Sequence, residues 1–316
     1  MRAVQFNEYG PPGVVHVADI EEPHAGPGRV RIAVRASGLS AGEALIRSGA
    51  YRDAVHMTFP YRTGVEAAGE VDEVGEGVTG VAVGDAVFGL TSMEERTANA
   101  DFAVLAAWAP KPAAWSWEEA GGAAGAVETA TRVLDRLGVG AGQTVLVQGA
   151  AGGTGSVAVQ FALARGAAVI GTAGERNHDF LRALGATPTT YGPGLVERVR
   201  ALAPNGVDAV FDCARGALPD LIAIAGDPSR VVTIADFEAP AHGVHLSHSA
   251  PTDDEGRPLL PGADPMALHG LGIAVALADE GRLRIPVAEA FPVTEVAAAH
   301  ELSDTRHARG KIVLTH

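Results

Sequence analysis

Residues 144–166 read TVLVQGAAGGTGSVAVQFALARG. The apolar run Thr144–Gln148 predicts a buried parallel strand, a glycine-rich turn follows, and Val157, Phe161 and Ala164 are then spaced as one face of an amphipathic helix. Ala150-x-Gly152-x-x-Gly155 is the dinucleotide fingerprint with alanine at its first glycine position. Gly152 and Gly153 let the backbone approach a pyrophosphate, and Gly155 lets the helix lie close on the strand. The helix N-terminus, at Gly153 and Thr154, offers the anion N–H groups that have no partner in the first turn. A glycine cluster alone is equally an ordinary strand-to-helix turn. The strand before this one and the helix after it supply the context that a dinucleotide site requires.

The far end of such a ligand is read about twenty residues later, at the tip of the next predicted strand, Ala167–Thr172. A site selecting NAD usually places Asp or Glu there, on the ribose 2′-hydroxyl. Here the tip reads Thr172-Ala173-Gly174-Glu175-Arg176-Asn177-His178, with small residues in the acid's place and a guanidinium just beyond. The planar fork of Arg176 suits a 2′-phosphate, with Asn177 beside it, so the expected cofactor is NADPH. The alternative is a solvated Glu175–Arg176 ion pair at the start of a helix.

The 316 residues suffice for two domains, and 47% hydrophobic with 20% charged residues describes a globular chain with sizeable cores. A formal charge of −14 argues against a nucleic-acid or anionic-membrane partner, and it raises the importance of Arg176 wherever a phosphate binds. The single cysteine, Cys213, excludes an internal disulfide or a multi-thiolate zinc site, and its place at the end of Val207–Asp212 suggests a buried strand thiol. Leu137–Ala164 has no charged residue, yet glycines and Gln143, Gln148 and Gln160 interrupt it, so a buried strand-turn-helix explains it better than a membrane span. No basic segment followed by an apolar core opens the chain, and a cytoplasmic location is expected.

Short β-branched runs at Arg2–Phe6, Val14–Ala18, Val30–Ala36, Glu66–Val74, Asp85–Phe88 and Phe102–Leu105, with turns at residues 10–13 and 75–77, give the first hundred residues an all-β pattern. From Glu118 the rhythm changes. A helical stretch Ala126–Leu137 precedes apolar strands near 144–148, 167–172, 207–212 and 230–235, with helices between them, which predicts a doubly wound parallel sheet. Pro251–Asp264 reads as a surface loop. After it come a helix over Pro265–Glu280, a strand near Arg284–Phe291, a helix Val293–Leu302 capped by Thr294, and a last strand Lys311–Thr315. The last strand is expected to return to the first domain, making the cofactor domain an insertion with the active site in the cleft beside it. The boundaries are placed at 1–119 with 282–316, and at 120–281.

Read together, these segments resemble the medium-chain dehydrogenase/reductases, specifically their zinc-free quinone oxidoreductase (zeta-crystallin-like) branch. The anchors are Ala36-Ser37-Gly38-Leu39-Ser40 leading to Ile46-Arg47-Ser48-Gly49, then Gly64-Val65-Glu66-Ala67-Ala68-Gly69, Val83-Gly84-Asp85, the 149–155 turn, and Gly310-Lys311-Ile312-Val313-Leu314. The resemblance implies an α/β protein with a GroES-like β-barrel catalytic domain, a Rossmann doubly wound cofactor domain, and a homodimer or homotetramer.

In the zinc branch a cysteine stands near the position of Ser40 and a histidine near that of Val65, and a cysteine-rich loop occupies the region of Thr91–Asp101. None of these is present, so no metal is expected, because a catalytic Zn²⁺ normally takes three protein ligands. His242, His245 and His248 recur every third residue but lie in a strand-like stretch, where an odd spacing alternates faces and prevents convergence on a metal.

The resemblance further implies hydride delivery from NADPH to a small electrophile, a quinone or the β-carbon of an enone. It points to Thr129 near the nicotinamide, the alternative being a helix hydroxyl bonded to its own backbone. Tyr191 falls near the adenosine phosphate. Tyr51 faces the substrate, either as a phenol donating its proton to a developing enolate or as a tyrosine lining the cleft. Ser40 stands where relatives commonly carry Asn. Trp108, Trp115 and Trp117 are expected to pack the domain junction. An enoyl-thioester reductase fits the same residues, as does a cofactor-binding protein without turnover.

Overall fold

In the computed structural model, which describes residues 1–52, 57–92, 96–250 and 262–316, the chain divides into Met1–Gly125 with Leu271–His316, and Ala126–Gly270. The first unit is built on the long strand Val30–Leu39, which pairs antiparallel with Glu66–Val74 on one side and Lys311–Thr315 on the other. Strands Ala86–Thr91 and Phe102–Pro110 continue the sheet, and Phe102–Leu105 pairs back onto Val30–Ala33, closing the four strands into a barrel. Val30, Ile32, Val34, Val71, Val87 and Leu105 fill its interior. A second apolar cluster joins Phe6, Leu39, Ile312 and Leu314 to Val296 and Ala299 of the helix Val296–Asp304. Because the final strand pairs with Val30–Leu39, the second unit is inserted into the first.

The second unit holds six parallel strands in the spatial order Thr187–Thr189, Ala168–Thr172, Thr144–Gln148, Ala209–Asp212, Val231–Thr233, His245–Leu246. Numbered along the chain from residue 144, this is 3-2-1-4-5-6, the doubly wound order whose topological switch falls between Thr144–Gln148 and Ala209–Asp212. Continuous apolar runs suit strands covered on both faces. Leu146, Ile170, Val210 and Val231 meet Leu195, Val199, Leu218 and Leu221 from the crossover helices. Helix Gly153–Ala164 is buried from Gly155 through Ala162, so the expectation of an amphipathic helix is corrected: it is enclosed on every side over that stretch, with the polar ends of Ser156 and Gln160 turned onto backbone carbonyls of the same helix. Burying Val157, Val159 and Phe161 stabilises it on the sheet by about 1.5–3 kcal/mol each.

Other expectations shift for local reasons. A 3₁₀ turn at Pro12–Val14 delays the second strand to His16–Asp19. Thr294 does not cap the last helix: it lies inside the 3₁₀ turn Val293–Glu295, and Glu295 is the N-cap residue, without a side-chain bond. The helix expected over Pro265–Glu280 begins at His269. Cys213 lies one residue past its strand and is half-buried rather than fully enclosed. Trp115 packs edge-on against Phe88 and donates its indole N–H to Leu283 O at 3.3 Å, while Trp117 lies beneath the Lys111 ammonium, so their contacts fall within the first unit. Of the loop expected over Pro251–Asp264, residues 251–261 lie outside the described residues.

Candidate functional site

The fingerprint turn of the second unit starts at Gly149, whose φ of +73° suits glycine. Thr172 holds it from the neighbouring strand. Gly149 N donates to Thr172 Oγ1 at 3.0 Å, Ala150 N donates to Thr172 O at 3.0 Å, and the Thr172 hydroxyl donates to Gln148 Oε1 at 2.5 Å. Gly152 N then donates to Gly149 O at 3.1 Å, and Gly152 becomes the N-cap residue of helix Gly153–Ala164 with no side-chain cap. The amides of Gly153, Thr154 and Gly155 therefore open the helix without an intrahelical acceptor. A Cβ on Gly155 would stand 2.3 Å from Gly149 O, so glycine is needed there for helix and turn to touch. On Gly152 the nearest atom would be Gly149 O at 3.4 Å, leaving that position open.

At the tip of Ala168–Thr172 the chain enters the 3₁₀ turn Glu175–Asn177. Arg176 is exposed and makes no ion pair or hydrogen bond with the described residues, so the Glu175–Arg176 pair considered from sequence does not form. Asn177 N donates to Gly174 O at 2.8 Å, shaping the turn. Tyr191 approaches it from the next strand's end: its phenol oxygen is 3.9 Å from where a Gly174 Cβ would lie, and its ring is 56% exposed. Arg198 secures that segment by donating to Thr190 O at 2.9 Å and Pro193 O at 2.7 Å. The turn, Arg176 and Tyr191 thus share the carboxyl edge of adjoining strands, where open α/β sheets bind ligands.

Thr129 lies on helix Ala124–Arg136. Its hydroxyl engages neither its own backbone nor an isolated partner, but donates to Glu128 Oε2 at 3.3 Å and accepts from Arg132 Nη2 at 3.4 Å. Glu128 and Arg132 form a buried pair at 2.8 Å that extends through Ser247 to Asp264. His245 joins Asp264 at 2.9 Å as a hydrogen-bond partner, and among the described residues no group of three or more His, Cys, Asp or Glu is placed to hold a metal ion. Burial and the adjacent Asp212 charge push the Cys213 thiol well above its ordinary range, which keeps it protonated and unsuited to nucleophilic work.

In the first unit, Ser40 is the N-cap of helix Ala41–Arg47. Its hydroxyl accepts Glu43 N–H at 3.3 Å, while the Glu43 carboxylate accepts Ser40 N–H at 2.8 Å and Gly64 N–H at 2.6 Å. Burial is the main cause that raises the Glu43 pKa, against those two amide bonds. Beside it the buried Glu66 carboxylate meets Lys311 Nζ at 2.6 Å and Gly125 N–H at 2.7 Å. A Cβ on Gly38 would fall 2.3 Å from Glu66 Oε1, so the glycine makes room for this carboxylate. Three of the sequence anchors, around Ser40, Gly64–Glu66 and Lys311, therefore converge through Glu43, Glu66 and Lys311. Sequence reading did not single out these charges. Their signal was a charged residue within an apolar run at each of Glu66 and Lys311, and the Ser40-x-x-Glu43 capping box. Tyr51, half-buried, lies in the turn that follows the C-terminal end of the same helix whose N-terminus Ser40 caps.

The same two units recur in known proteins. Residues 26–136 match the alcohol dehydrogenase GroES-like domain family, and residues 184–314 match the zinc-binding dehydrogenase family. The solved structure of an alcohol dehydrogenase superfamily protein from Novosphingobium aromaticivorans is 30% identical, with a TM-score of 0.83 over 100% of this chain and 99% of that one. The chain belongs to the medium-chain dehydrogenase/reductase family. Its second unit is the nicotinamide-dinucleotide-binding domain of that family. A quinone oxidoreductase of Rattus norvegicus is 28% identical over 321 residues, covering 99% of this chain and 96% of the relative. Polyketide synthase GfsB of Streptomyces halstedii is 34% identical over 299 residues, which is 92% of this chain and 5% of the synthase. The chain thus spans a small part of the polyketide synthases it matches. Among the described residues, no helix of this medium-chain dehydrogenase/reductase is long and apolar enough to cross a membrane.

Proposed function

We propose that this chain is a zinc-independent oxidoreductase that uses NADPH to reduce quinones or α,β-unsaturated carbonyls. The observation that carries the reading is the open helix N-terminus at Gly153 at the same sheet edge as the guanidinium of Arg176, which pairs with none of the described residues. NADPH, when bound, supplies a hydride to an electron-poor carbon. The amides of Gly153, Thr154 and Gly155 receive the diphosphate, with Ala150 and Gly152 leaving space for it. Arg176 and Asn177 take the 2′-phosphate, and the exposed ring of Tyr191 borders the adenosine end. Thr129, its hydroxyl oriented by Glu128 and Arg132, faces the nicotinamide.

The donor set argues for hydrogen-bond polarisation of the substrate oxygen rather than Lewis-acid chemistry. Ser40 uses an acceptor site in its helix cap, which leaves its O–H free to donate, and Val65 offers no ligand atom. Tyr51 donates, from its phenol O–H, the proton that completes reduction of an enone. A homodimer or homotetramer in the cytoplasm completes the proposal.

The 34% match within a polyketide synthase, against 28% for the quinone oxidoreductase, supports a second substrate class for the same chemistry, an enoyl thioester. The deciving assay follows NADPH oxidation after exhaustive chelation, with quinones, enones and enoyl thioesters as acceptors. Turnover with one class names the substrate. Absence of turnover with all of them, with NADPH still bound, would leave a cofactor-binding protein, and loss of turnover on chelation would refute zinc independence.

A further inference from the structure

Five strands of the second unit end on a polar residue, and the five lie in one rung: Thr189, Thr172, Gln148, Asp212 and Thr233. Register pairs Thr189 with Thr172, Gln148 with Asp212, and Asp212 with Thr233, and the Thr172–Gln148 bond joins the remaining pair. In-register residues of parallel strands share a face, so this is a continuous polar row at the carboxyl edge. All five are at most 5% exposed.

The row shapes the two turns that leave the switch point. Thr172 holds Gly149 N–H, while Asp212 Oδ1 accepts Ala214 N–H at 2.9 Å and Oδ2 accepts the Thr233 hydroxyl at 2.8 Å. The turns also touch: a Cβ on Gly149 would lie 3.1 Å from the Ala214 Cβ. Only Asp212 in the row can carry charge, and among the described residues no cation pairs with it. The neighbouring strand ends present Gln148, Thr172 and Thr233, none of them titratable. The glycine turn and the first turn of its helix present none either. The ionisable group that acts on Asp212 is Asp236, beyond the adjoining strand, and Asp212 in turn raises the thiol of Cys213, its chain neighbour. Burial foremost, and Asp236, push its carboxyl up to about 6 despite the two hydrogen bonds.

We propose that Asp212 couples dinucleotide affinity to pH, its ionised carboxylate opposing the diphosphate received at the adjoining glycine turn, and its protonation from solvent removing that opposition. The inference rests on the dinucleotide reading above and adds a residue and a direction to it. A proton is taken up as the ligand binds. Affinity is highest below the free-state transition of Asp212 and falls as the pH rises through it.

The test is calorimetric titration of the full chain with ADP-ribose, which carries the diphosphate but no group that ionises between about pH 5 and pH 8, in two buffers of different ionisation heat. The expected result is an affinity about tenfold weaker at about pH 8 than at about pH 5, with net proton uptake between them. Asp212→Asn should bind with a flat profile and no uptake. Asp236→Asn should move the transition to lower pH. A flat wild-type profile, or an unchanged slope in Asp212→Asn, would overturn the proposal, and the wild-type profile decides it even where the variant is unstable. A chain that binds neither ADP-ribose nor NADPH at any pH would instead remove the dinucleotide reading, and this inference with it.

Discussion

Adding one methyl group at Gly155 or at Gly152 should damage this protein in different ways. At Gly155 the new Cβ would stand 2.3 Å from Gly149 O and 2.9 Å from Ala150 Cα, both backbone atoms. Reaching ordinary contact near 3.4 Å requires helix and turn to separate by about 1 Å at a buried packing site. Overpacking of this kind costs about 1–3 kcal/mol, or roughly 1.5–5 °C in Tm for a chain of this size. Because the displaced turn also carries the anion-facing amides, NADPH affinity should fall with it. At Gly152 the backbone is extended, at φ −77° and ψ 176°, and the nearest atom to a new Cβ is 3.4 Å away, so alanine fits the apo protein. Gly152→Ala should melt within about 2 °C of the wild type, since the loss of glycine's freedom in the unfolded chain offsets small costs, yet bind NADPH weakly because the methyl stands at the phosphate approach. Differential scanning calorimetry and fluorescence titration with NADPH read the two effects separately. A Gly152→Ala protein with wild-type affinity would reduce this turn to a strand-to-helix connection, and a Gly155→Ala protein with unchanged Tm would refute the packing argument.

Arg176→Ala should weaken NADPH about ten- to hundredfold, from charge-assisted bonds worth about 1.5–3 kcal/mol, and leave NADH nearly unchanged; parallel titrations check this, and equal losses for both would contradict it. His300 is fully buried, neither ring nitrogen has a hydrogen-bond partner among the described residues, and burial lowers its pKa from 6.5 to about 4. The unfolded chain therefore binds the extra proton first, and about 3 kcal/mol of stability present above pH 6.5 should be lost as the pH falls toward 4. His300→Leu should flatten that part of the pH–stability profile in urea melts, and an unchanged profile would show that another group governs it. Lys311→Met should cost about 3–5 kcal/mol by leaving Glu66 charged and buried alone, and adding Glu66→Gln should recover part of the loss; denaturation of both variants decides between this and a purely steric effect.

Strong local signals carried much of the fold. Arg2–Phe6, Glu66–Val74, Thr144–Gln148 and Lys311–Thr315 are strands over the residues that their apolar patterns predict. Strands Ala86–Thr91 and Phe102–Pro110 run beyond their expected ends because Gly89 and the Ala106–Ala109 stretch have weak β preference of their own; cross-strand pairing, such as Gly89 with Trp108, extends them. The phosphate turn was legible because its residues are contiguous. The Glu43–Glu66–Lys311 grouping was not, since its members are far apart in sequence and their pairing is a product of barrel closure. Nor did the sequence distinguish Ser40 as a cap from Ser40 as a substrate contact, because one hydroxyl suits both and only the helix that follows it makes the cap evident.

The proposed activity is reduction by hydride transfer from a nicotinamide to a carbon of the acceptor. NADPH bearing deuterium on its transferable C4 position, incubated with an enone and the protein in ordinary water, tests it most directly. Deuterium is expected at the β-carbon of the product and solvent hydrogen at the α-carbon. Deuterium found in neither position while the enone is reduced, or NADPH that stays unoxidised beside every enone, quinone and enoyl thioester offered, would contradict it.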